Sequence, residues 1–278
     1  MPRRAQISPE PARADPPHTD SECTRSVLRR AFAVKVSIII PAFNEEACLP
    51  AALDSIRTAV DHLRARCQAG EVVSVDVIVV DNNSTDETAA VVRNEGSRVV
   101  HEPVQGTARA RNTGARHAPG DVLVFIDADV AVPPTLLHEI HETMREPSCI
   151  GGGVDVDYRP RRLAVRLYLR AWRLFGHLTG MVQGATQFCR KRVFEQVGGY
   201  DETVWIGEDV DFFWNLRRLA REERRTVRFI REPRVQPSCR RFDKWPLWRV
   251  LIWTNPLFIA VFRRWKAVWT GWYSHPVR

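Results

Sequence analysis

The sequence predicts an α/β protein with a mostly parallel sheet covered by helices on both faces. Three runs are mostly apolar and rich in β-branched residues, at residues 36–40, 75–80 and 122–126, which is typical of strands buried on both faces. Segments with helical spacing or helix-start signals separate these runs, as in folds that alternate strands and helices. Ligands of such open sheets bind at the carboxyl ends of the strands, so the residues that follow each strand are the first candidates for a site.

The elements are expected in regular alternation. The predicted strands lie at residues 36–40, 75–80, 98–101 and 122–126. The predicted helices lie at residues 47–67, 84–94, 107–117, 134–145 and 212–220. The start of the second helix rests on Ser84 and Glu87, which have the spacing of a capping box.

Charge is distributed unevenly along the chain. The net charge is +8, yet residues 231–278 hold ten basic and two acidic side chains, whereas residues 36–230 hold 24 basic and 27 acidic ones. A basic nucleic-acid-binding domain is therefore not expected, and no nucleic-acid partner is predicted. The pattern indicates a mildly acidic core with basic ends that contact something anionic.

The ends and the cysteines bear on location. Residues 1–33 lack periodicity and are predicted to form a disordered basic leader. No apolar stretch follows its Arg3-Arg4 pair, so no export signal is expected. The sequence has no run of about 20 apolar residues, so no membrane span is expected either. Six scattered cysteines without a CxxC pair indicate a reduced, intracellular protein. The expected location is cytoplasmic, at the inner face of the cell membrane.

Acids and amides, rather than phosphate-binding glycine loops, follow three predicted strands. The segments are PAFNEE at 41–46, DNNSTD at 81–86 and DAD at 127–129. The absence of GxGxxG after the first strand disfavours a nicotinamide or flavin dehydrogenase, and the absence of GxxxxGK[ST] disfavours a P-loop enzyme.

Asp127 and Asp129 form the clearest candidate metal site. Residues two apart in an extended chain point the same way, and two carboxylates can hold a hard divalent cation that also binds substrate phosphates. The alternative is that these acids cap the next helix or face water. Their position after the buried run VLVFI favours the metal.

Five other side chains suggest chemistry. Asp81 could accept a hydrogen bond from a uracil or a ribose hydroxyl. Arg109 and Arg111 could contact a diphosphate or lie on a solvated helix face. Glu208 and Asp209 begin a predicted helix, where the dipole favours ionised carboxylates, so they either act as a general base or cap the helix.

Four segments together resemble the family 2 glycosyltransferases, which have a nucleotide-sugar-binding GT-A fold. They are residues 37–46, 77–88, 106–130 and 188–218. The resemblance implies a domain at 34–230, with Asp81 on the nucleobase, Arg111 near the nucleotide, Asp127 near ribose and metal, and Asp129 as the stronger metal ligand. It also implies Asp209 as catalytic base. The remaining implied roles are the nucleoside pocket, Pro41, Ala42, Phe43, Asn44 and Glu45, and the acceptor side, Trp205 and Glu208.

The implied reaction is inverting transfer of a sugar from a nucleoside-diphosphate sugar to a hydroxyl or phosphate acceptor, with Mg²⁺ or Mn²⁺ as cofactor. The chain departs from wider relatives because residues 235–242 lack a metal-binding histidine. Arg240 and Arg241 stand there instead and could contact the diphosphate directly. The QxxRW motif of processive synthases is also missing, so repeated polymer extension is not expected.

Two segments combine basic and apolar residues. Arg162, Arg166, Arg170 and Arg173 form one stripe on a helix, which indicates either an ordinary surface helix or contact with a membrane or lipid phosphate. The extension 231–278 holds six of the nine tryptophans among arginines. That composition suits a bilayer interface, although a hairpin packed on the core or a dimer contact is the alternative. A lipid-linked acceptor is therefore considered.

Two other functions remain open at this point. A sugar-phosphate nucleotidyltransferase can share a related sheet, but it would need a glycine-rich basic loop after the first strand. A non-catalytic membrane-surface binding protein could retain the fold without turnover.

Overall fold

The computed structural model describes residues 34–67, 71, 73–181 and 184–273. The leader predicted for residues 1–33 and the side chain of Trp272 lie outside the described residues.

A single mixed sheet forms the centre of the described chain. Its strands are β1 Val34–Ala42, β2 Val73–Asp81, β3 Arg98–His101, β4 Val122–Ile126, β5 Val130–Ala131, β6 Cys149–Val156, β7 Thr186–Arg190 and β8 Thr226–Pro237. They lie in the order β3-β2-β1-β4-β7-β6-β8-β5. The pairs among β1 to β4 and the β6–β8 pair are parallel, whereas β7 runs antiparallel to both β4 and β6 and β5 runs antiparallel to β8.

Helices surround the sheet. They are α1 Leu49–Arg66, α2 Thr88–Asn94, α3 Thr107–His117, α4 Leu136–Arg145, α5 Leu163–Thr179, α6 Lys191–Gln196, α7 Glu208–Glu222, α8 Arg240–Lys244, α9 Leu247–Trp253, α10 Pro256–Phe262 and α11 Lys266–Tyr273.

Strands β1 and β4 are buried on both faces over most of their length, as their apolar runs predict. Ile38 and Ile40 of β1 pack in the core with Leu53 of α1, whereas Ile39 packs on the opposite face with α3. A Cβ at Gly114 would lie 2.4 Å from Cγ2 of Ile39. The glycine therefore lets α3 lie directly on the strand.

The capping-box expectation at Ser84 is wrong. The helix begins at Thr88, and its N-cap residue Glu87 makes no side-chain cap. The Ser84 hydroxyl instead accepts a hydrogen bond of 3.0 Å from the amide of Asn44. This bond ties the loop after β2 to the loop after β1, so the tertiary contact replaces the local cap.

Two helix starts differ from the predicted ones by two and four residues. The helix expected at 134–145 begins at Leu136, and the helix expected from residue 212 begins at Glu208. Strand β8 extends across residue 230, so the sheet continues into the segment assigned to the C-terminal extension.

The C-terminal helices pack against the rest of the chain. Trp269 is fully buried and Trp245 nearly so, and the Trp253 ring lies edge-on to both, with centroid distances of 5.6 and 5.4 Å. Val165 and Leu169 of α5 join Trp245 and Val250 in one cluster. Among the described residues, no helix is both long and apolar enough to cross a membrane.

Candidate active site

A cavity of about 500 Å³ lies beyond the carboxyl ends of β1 and β4. Helix α5, the start of α7 and the C-terminal helices form its other walls. It brings together most of the sequence-predicted site residues: Pro41, Ala42, Phe43, Glu45, Arg111, Asp127, Asp129, Trp205, Glu208, Asp209 and Arg241 line it. These residues span 200 positions of the chain, so only the folded sheet can place them together.

Two residues expected in the nucleoside pocket fix loops instead of lining the cavity. Asp81 is buried and accepts a hydrogen bond of 3.1 Å from the amide of Ser84. Asn44 has a left-handed backbone with φ 54°, and its side-chain oxygen accepts a bond of 2.8 Å from the amide of Thr85. Asp81 therefore fixes the loop after β2, whereas Asn44 ties the loop after β1 to it.

Asn82 lines this end of the cavity and was missed from the sequence. Its side-chain nitrogen donates to the carbonyl of Val104 at 2.8 Å, and its side-chain oxygen accepts from the amide of Gly106 at 2.7 Å. The first asparagine of the DNNSTD segment was the only available signal. Asn82 fixes the loop that precedes α3.

Arg111 joins the two acidic motifs of the site. Its side chain is only 3% exposed, and its guanidinium donates to Oδ1 of Asp127 and to Oε1 of Glu208, both at 2.7 Å. The guanidinium also lies 5.1 Å from the ring centroid of Tyr200. Strand end β4 and helix start α7 are thereby linked through one buried cation.

The two acids that Arg111 bridges have perturbed ionisation. Burial raises the pKa of Glu208 to about 7; the positive charge of Arg111 opposes this and the negative charge of Asp209 adds to it. Loss of solvent contact likewise raises the pKa of Asp127 to about 6, against the effect of Arg111. The Asp127 side chain keeps 36% of its surface exposed, so it remains reachable from the cavity.

Asp209 is held by backbone amides. Gly184 donates to its Oδ2 at 2.6 Å, and Val210 donates to its Oδ1 at 2.8 Å. Its carbonyl oxygen accepts a bond of 2.9 Å from the side chain of Gln187 on β7. Helix α7 therefore starts at a fixed point beside the sheet, with this carboxylate at the cavity wall.

Asp129 lies beside Arg240 at the edge of the cavity. Nη2 of Arg240 is 3.7 Å from Oδ2 of Asp129, and the same guanidinium donates to both carboxylate oxygens of Glu45. Burial raises the pKa of Asp129, and the nearby charge of Glu45 raises it further. Arg240 thus neutralises two acids at the edge of the cavity without lining it.

Few side chains of the site could bind a metal cation. Within the described ranges, no group of three or more His, Cys, Asp or Glu side chains could hold a metal ion. Asp127 and Asp129 supply two carboxylates, which fits a hard cation such as Mg²⁺ that completes its shell with water and substrate phosphates.

Arg109, expected at the diphosphate, is oriented elsewhere. It pairs with Glu202 at 2.9 Å and does not line the cavity. Residues two apart on a helix do not share a face, so Arg109 and Arg111 cannot both reach the site.

The C-terminal helices are anchored beside the start of α7, at one wall of the cavity. The carbonyl of Arg263 accepts a bond of 2.8 Å from the amide of Trp205, and Nη1 of Arg263 donates to Oδ1 of Asp211 at 3.1 Å. The apolar lining on this side was not identified from the sequence and comprises Leu169, Trp172, Trp214, Trp253, Ile259 and Ala260. The tryptophan density of the tail was the signal that could have revealed it.

The sheet order, the strand-end acids and the walled cavity define an α/β fold of the GT-A glycosyltransferase type. The model of the family described as glycosyl transferase family 2 matches residues 37–198. The chain belongs to glycosyl transferase family 2, which confirms the resemblance found in the sequence and argues against the nucleotidyltransferase alternative.

Several relatives and solved structures are similar to the chain. A pre-mycofactocin glycosyltransferase of Mycobacterium tuberculosis is 27% identical over 197 residues, 65% of this chain and 38% of that protein. An undecaprenyl-phosphate 4-deoxy-4-formamido-L-arabinose transferase of Aeromonas hydrophila is 34% identical over 106 residues, 36% of this chain and 30% of that protein. The matches therefore span about a third of the length of these curated relatives.

A solved structure shares the fold. Glucosyl-3-phosphoglycerate synthase from Mycobacterium tuberculosis, in complex with Mn²⁺ and uridine-diphosphate-glucose, aligns with a TM-score of 0.54 at 22% identity. The alignment covers 83% of this chain and 79% of that one.

Proposed function

We propose that the protein is a non-processive, inverting glycosyltransferase that moves a sugar from a nucleoside-diphosphate sugar to a hydroxyl or phosphate oxygen of an acceptor. One observation carries the proposal: Asp127, Asp129 and Asp209 line a single cavity at the carboxyl ends of the strands, where open α/β sheets bind their ligands. The Mn²⁺ and uridine-diphosphate-glucose in the structurally similar synthase support this class of donor.

The donor is assigned to the side of the cavity next to β1 and β4. Pro41, Phe43 and Asn82 line it there and would contact the nucleoside. Asp127 and Asp129 would hold Mg²⁺ or Mn²⁺, and a bound cation supplies positive charge against the charge that develops on the leaving diphosphate. Arg111 holds Asp127 in place, and Arg240 and Arg241 would supply further positive charge to the diphosphate.

Asp209 is the proposed general base. It takes the proton of an acceptor hydroxyl as the oxygen of that hydroxyl bonds to the anomeric carbon. The bond from the anomeric carbon to the diphosphate oxygen breaks in the same step, and the nucleoside diphosphate leaves with the electron pair. One displacement inverts the anomeric centre, whereas a retaining mechanism of the glycosidase type needs a second carboxylate as nucleophile.

The acceptor is proposed to be lipid-linked. Helix α5 and the C-terminal helices contribute apolar residues to the cavity lining, among them Leu169, Trp172, Trp253 and Ile259. A sugar or phosphate alone would leave this apolar surface unused, whereas an acceptor with a hydrocarbon part would bury it. The similarity to a transferase named for undecaprenyl phosphate supports the same class.

Peripheral contact with an anionic bilayer, at the cytoplasmic face of the membrane, is part of the proposal. Helix α5 buries Val165 and Leu169 but leaves a second apolar face exposed: Leu163, Leu167, Leu174, Phe175 and Leu178. The C-terminal helices expose Trp248, Leu257, Val261 and Trp265. Tryptophan beside arginine and lysine suits the interface of such a bilayer.

The arginine stripe on α5 is used largely within the protein. Arg162 donates to the carbonyl of Trp245, Arg166 donates to the carbonyl of Pro160, and Arg173 pairs with Asp155. The membrane proposal therefore rests on the exposed apolar side chains and the basic tail rather than on this stripe.

Vesicle flotation tests the membrane contact. Because Trp269 is buried, deleting the tail would disturb the fold, so Trp248→Ser with Trp265→Ser is the better variant. We expect this variant to lose flotation with phosphatidylglycerol vesicles, whereas Val104→Ser, which changes an exposed residue outside these helices, floats like the parent chain. Equal flotation of all three would refute the contact.

Thermal-shift screening of nucleotide sugars, with and without Mn²⁺, tests the transferase proposal. A metal-dependent shift with one nucleotide sugar would identify the donor. Asp129→Ala should lose that shift, whereas Asp209→Asn should keep it and lose transfer. A chain that responds to no nucleotide would instead support the membrane-surface binding protein without catalysis.

A further inference from the structure

A second cavity, of about 360 Å³, lies on the other side of the turn that follows α5. Gly176 and Met181 line both cavities, and the rest of the second lining comes from the end of α5, the C-terminal half of α7 and β8. Eight residues of helix separate Asp209 from Arg217, which corresponds to about 12 Å. The second cavity is therefore a separate pocket and contains none of the strand-end acids.

Arginines dominate this pocket. Arg217 and Arg221 contribute from α7, and Arg225 and Arg231 contribute from the residues before and within β8. Arg225 is neutralised by Glu223 at 3.2 Å. In the part of the chain that the structure describes, no carboxylate lies within 4.0 Å of the guanidinium groups of the other three.

Neighbouring acids are already paired elsewhere. Glu222 lies 3.9 Å from Arg218 on the outer face of α7, and Glu232 pairs with Arg234. The pocket therefore carries an excess of positive charge. Arg217 and Arg221 are also one helical turn apart, a spacing at which like charges destabilise a helix, so an anion between them would relieve a repulsion.

The position of the Arg217 side chain is fixed by the turn after α5. Its Nη1 donates to the carbonyl of Gly180 at 3.3 Å, and Gly180 has a left-handed backbone with φ 69°. A Cβ at Gly180 would lie 1.9 Å from the same Nη1. Glycine at this turn thus leaves room for the guanidinium at the wall of the pocket.

The remaining lining is apolar and aromatic. Phe213 is buried, and Phe229 and Val227 are half-buried beside the arginines. A guanidinium matches a phosphate with two parallel hydrogen bonds, whereas the aromatic side chains suit an attached apolar group. The combination fits an amphiphilic anion better than a lone inorganic ion.

We propose that this pocket binds a phosphate monoester or diester, with the phosphate held by Arg217, Arg221 and Arg231 and the attached group placed against Phe213 and Phe229. The ligand is either a soluble phosphate ester or the headgroup of an anionic lipid. The site is independent of the donor site, so it stands whether or not the proposed transfer reaction is correct.

Titration of the full-length protein with glycerol 3-phosphate, at constant ionic strength and without metal, tests the site. We expect Arg217→Gln with Arg221→Gln to weaken binding about tenfold, since charge-assisted bonds are lost. Arg218→Gln is the matched control, because Arg218 lies on the same helix but pairs with Glu222 outside the pocket. Equal affinity of the double variant and the parent chain, or an equal loss in the control, would overturn the proposal.

Flotation separates the two sources of phosphate. Flotation of the double variant and the parent chain is compared with phosphatidylglycerol vesicles and, as the control, with phosphatidylcholine vesicles. If the double variant loses binding to the phosphatidylglycerol vesicles alone, the ligand is a lipid headgroup. If it binds these vesicles like the parent chain, the ligand is soluble. The nucleotide-sugar thermal shift should be unchanged in the double variant. Loss of this thermal shift would place these arginines in the donor site and would also overturn the proposal.

Discussion

The backbone amide of Gly184 donates a hydrogen bond of 2.6 Å to Oδ2 of Asp209. A Cβ at residue 184 would lie 2.2 Å from both Cβ and Oδ2 of Asp209, closer than any two such atoms can approach. The segment that follows α5 therefore sets the position of the proposed base, and only glycine at residue 184 permits the contact.

Gly184→Ala should move the Asp209 carboxylate and lower the rate of transfer at least a hundredfold, because a displacement of about 1 Å at the reacting groups costs about that much. Donor binding should fall less than transfer, since the Asp127 carboxylate is held by Arg111, and it is the Asp127 backbone amide that bonds to this segment, at the carbonyl of Ala185. Transfer rates and donor affinity, measured on the same preparation, check the prediction.

Gly198→Ala is the control for this change. Gly198 also has a left-handed backbone, with φ 81°, but its Cβ would meet nothing within 4 Å. The control should lose about 1 kcal/mol of stability and keep its transfer rate. An equal loss of transfer in both variants would show that general destabilisation, not the position of Asp209, is responsible.

Arg111→Met should destabilise the protein by about 3–5 kcal/mol at pH 8, because a buried cation is removed and Asp127 and Glu208 are left without their partner. Adding Glu208→Gln should restore part of that loss, since one of the two uncompensated charges is then absent. At pH 5 the penalty of Arg111→Met should be smaller, because both acids have raised pKa values and accept protons there. Urea unfolding of the parent chain, of Arg111→Met, of Glu208→Gln and of the double variant measures these differences. Strict additivity at pH 8 would contradict the bridge.

The strands of the parallel half could be predicted from the sequence because each holds a run of mostly β-branched apolar residues, as in Val122–Ile126. The sequence did not predict that Thr186–Arg190 runs antiparallel to its neighbours. This direction depends on a connection of some 60 residues rather than on a local pattern. The local signal at Ser84 was overridden by a contact with Asn44, 40 residues away.

The site residues, too, could be predicted from the sequence only in part. The acids after β4 and at the start of α7 could be selected from residue type and position alone. The sequence could not show which of Arg109 and Arg111 reaches the site. The answer depends on which face of α3 meets Asp127 and Glu208, and Glu208 is 97 positions away from Arg111. The apolar wall near Ile259 depends on how the C-terminal helices pack, which no motif encodes.

Arg240→Gln and Arg109→Gln should separate the arginines that were expected at the diphosphate. Arg240 lies beside Glu45 and Asp129, so its loss should raise the KM for the donor about tenfold with little change in kcat. Arg109 pairs with Glu202 outside the cavity, so its loss should leave donor KM unchanged and cost at most about 1 kcal/mol of stability. Steady-state kinetics of both variants would contradict this assignment if Arg109→Gln weakened donor use as much as Arg240→Gln.

Asp155 should govern part of the acid sensitivity of the fold. Its side chain is 2% exposed on β6, and the cations facing it are Arg173 and His177 of α5 and Arg234 of β8. Burial alone would disfavour the charged form, but hydrogen bonds from Arg173 and His177 outweigh this and lower the pKa of Asp155. A carboxyl with a lowered pKa in the folded state contributes stability above its unfolded pKa of about 4 and loses that contribution as the pH falls through the folded value.

Asp155→Asn should therefore cost about 3 kcal/mol at pH 7 and progressively less below pH 4. Asp157→Asn, which removes an ion pair with the exposed Arg159, should cost less than about 1 kcal/mol at pH 7. Urea unfolding of the three proteins at pH 7, 5 and 3 measures the difference, and a penalty for Asp155→Asn that stayed constant over this range would show that packing, rather than charge, holds α5 to the sheet.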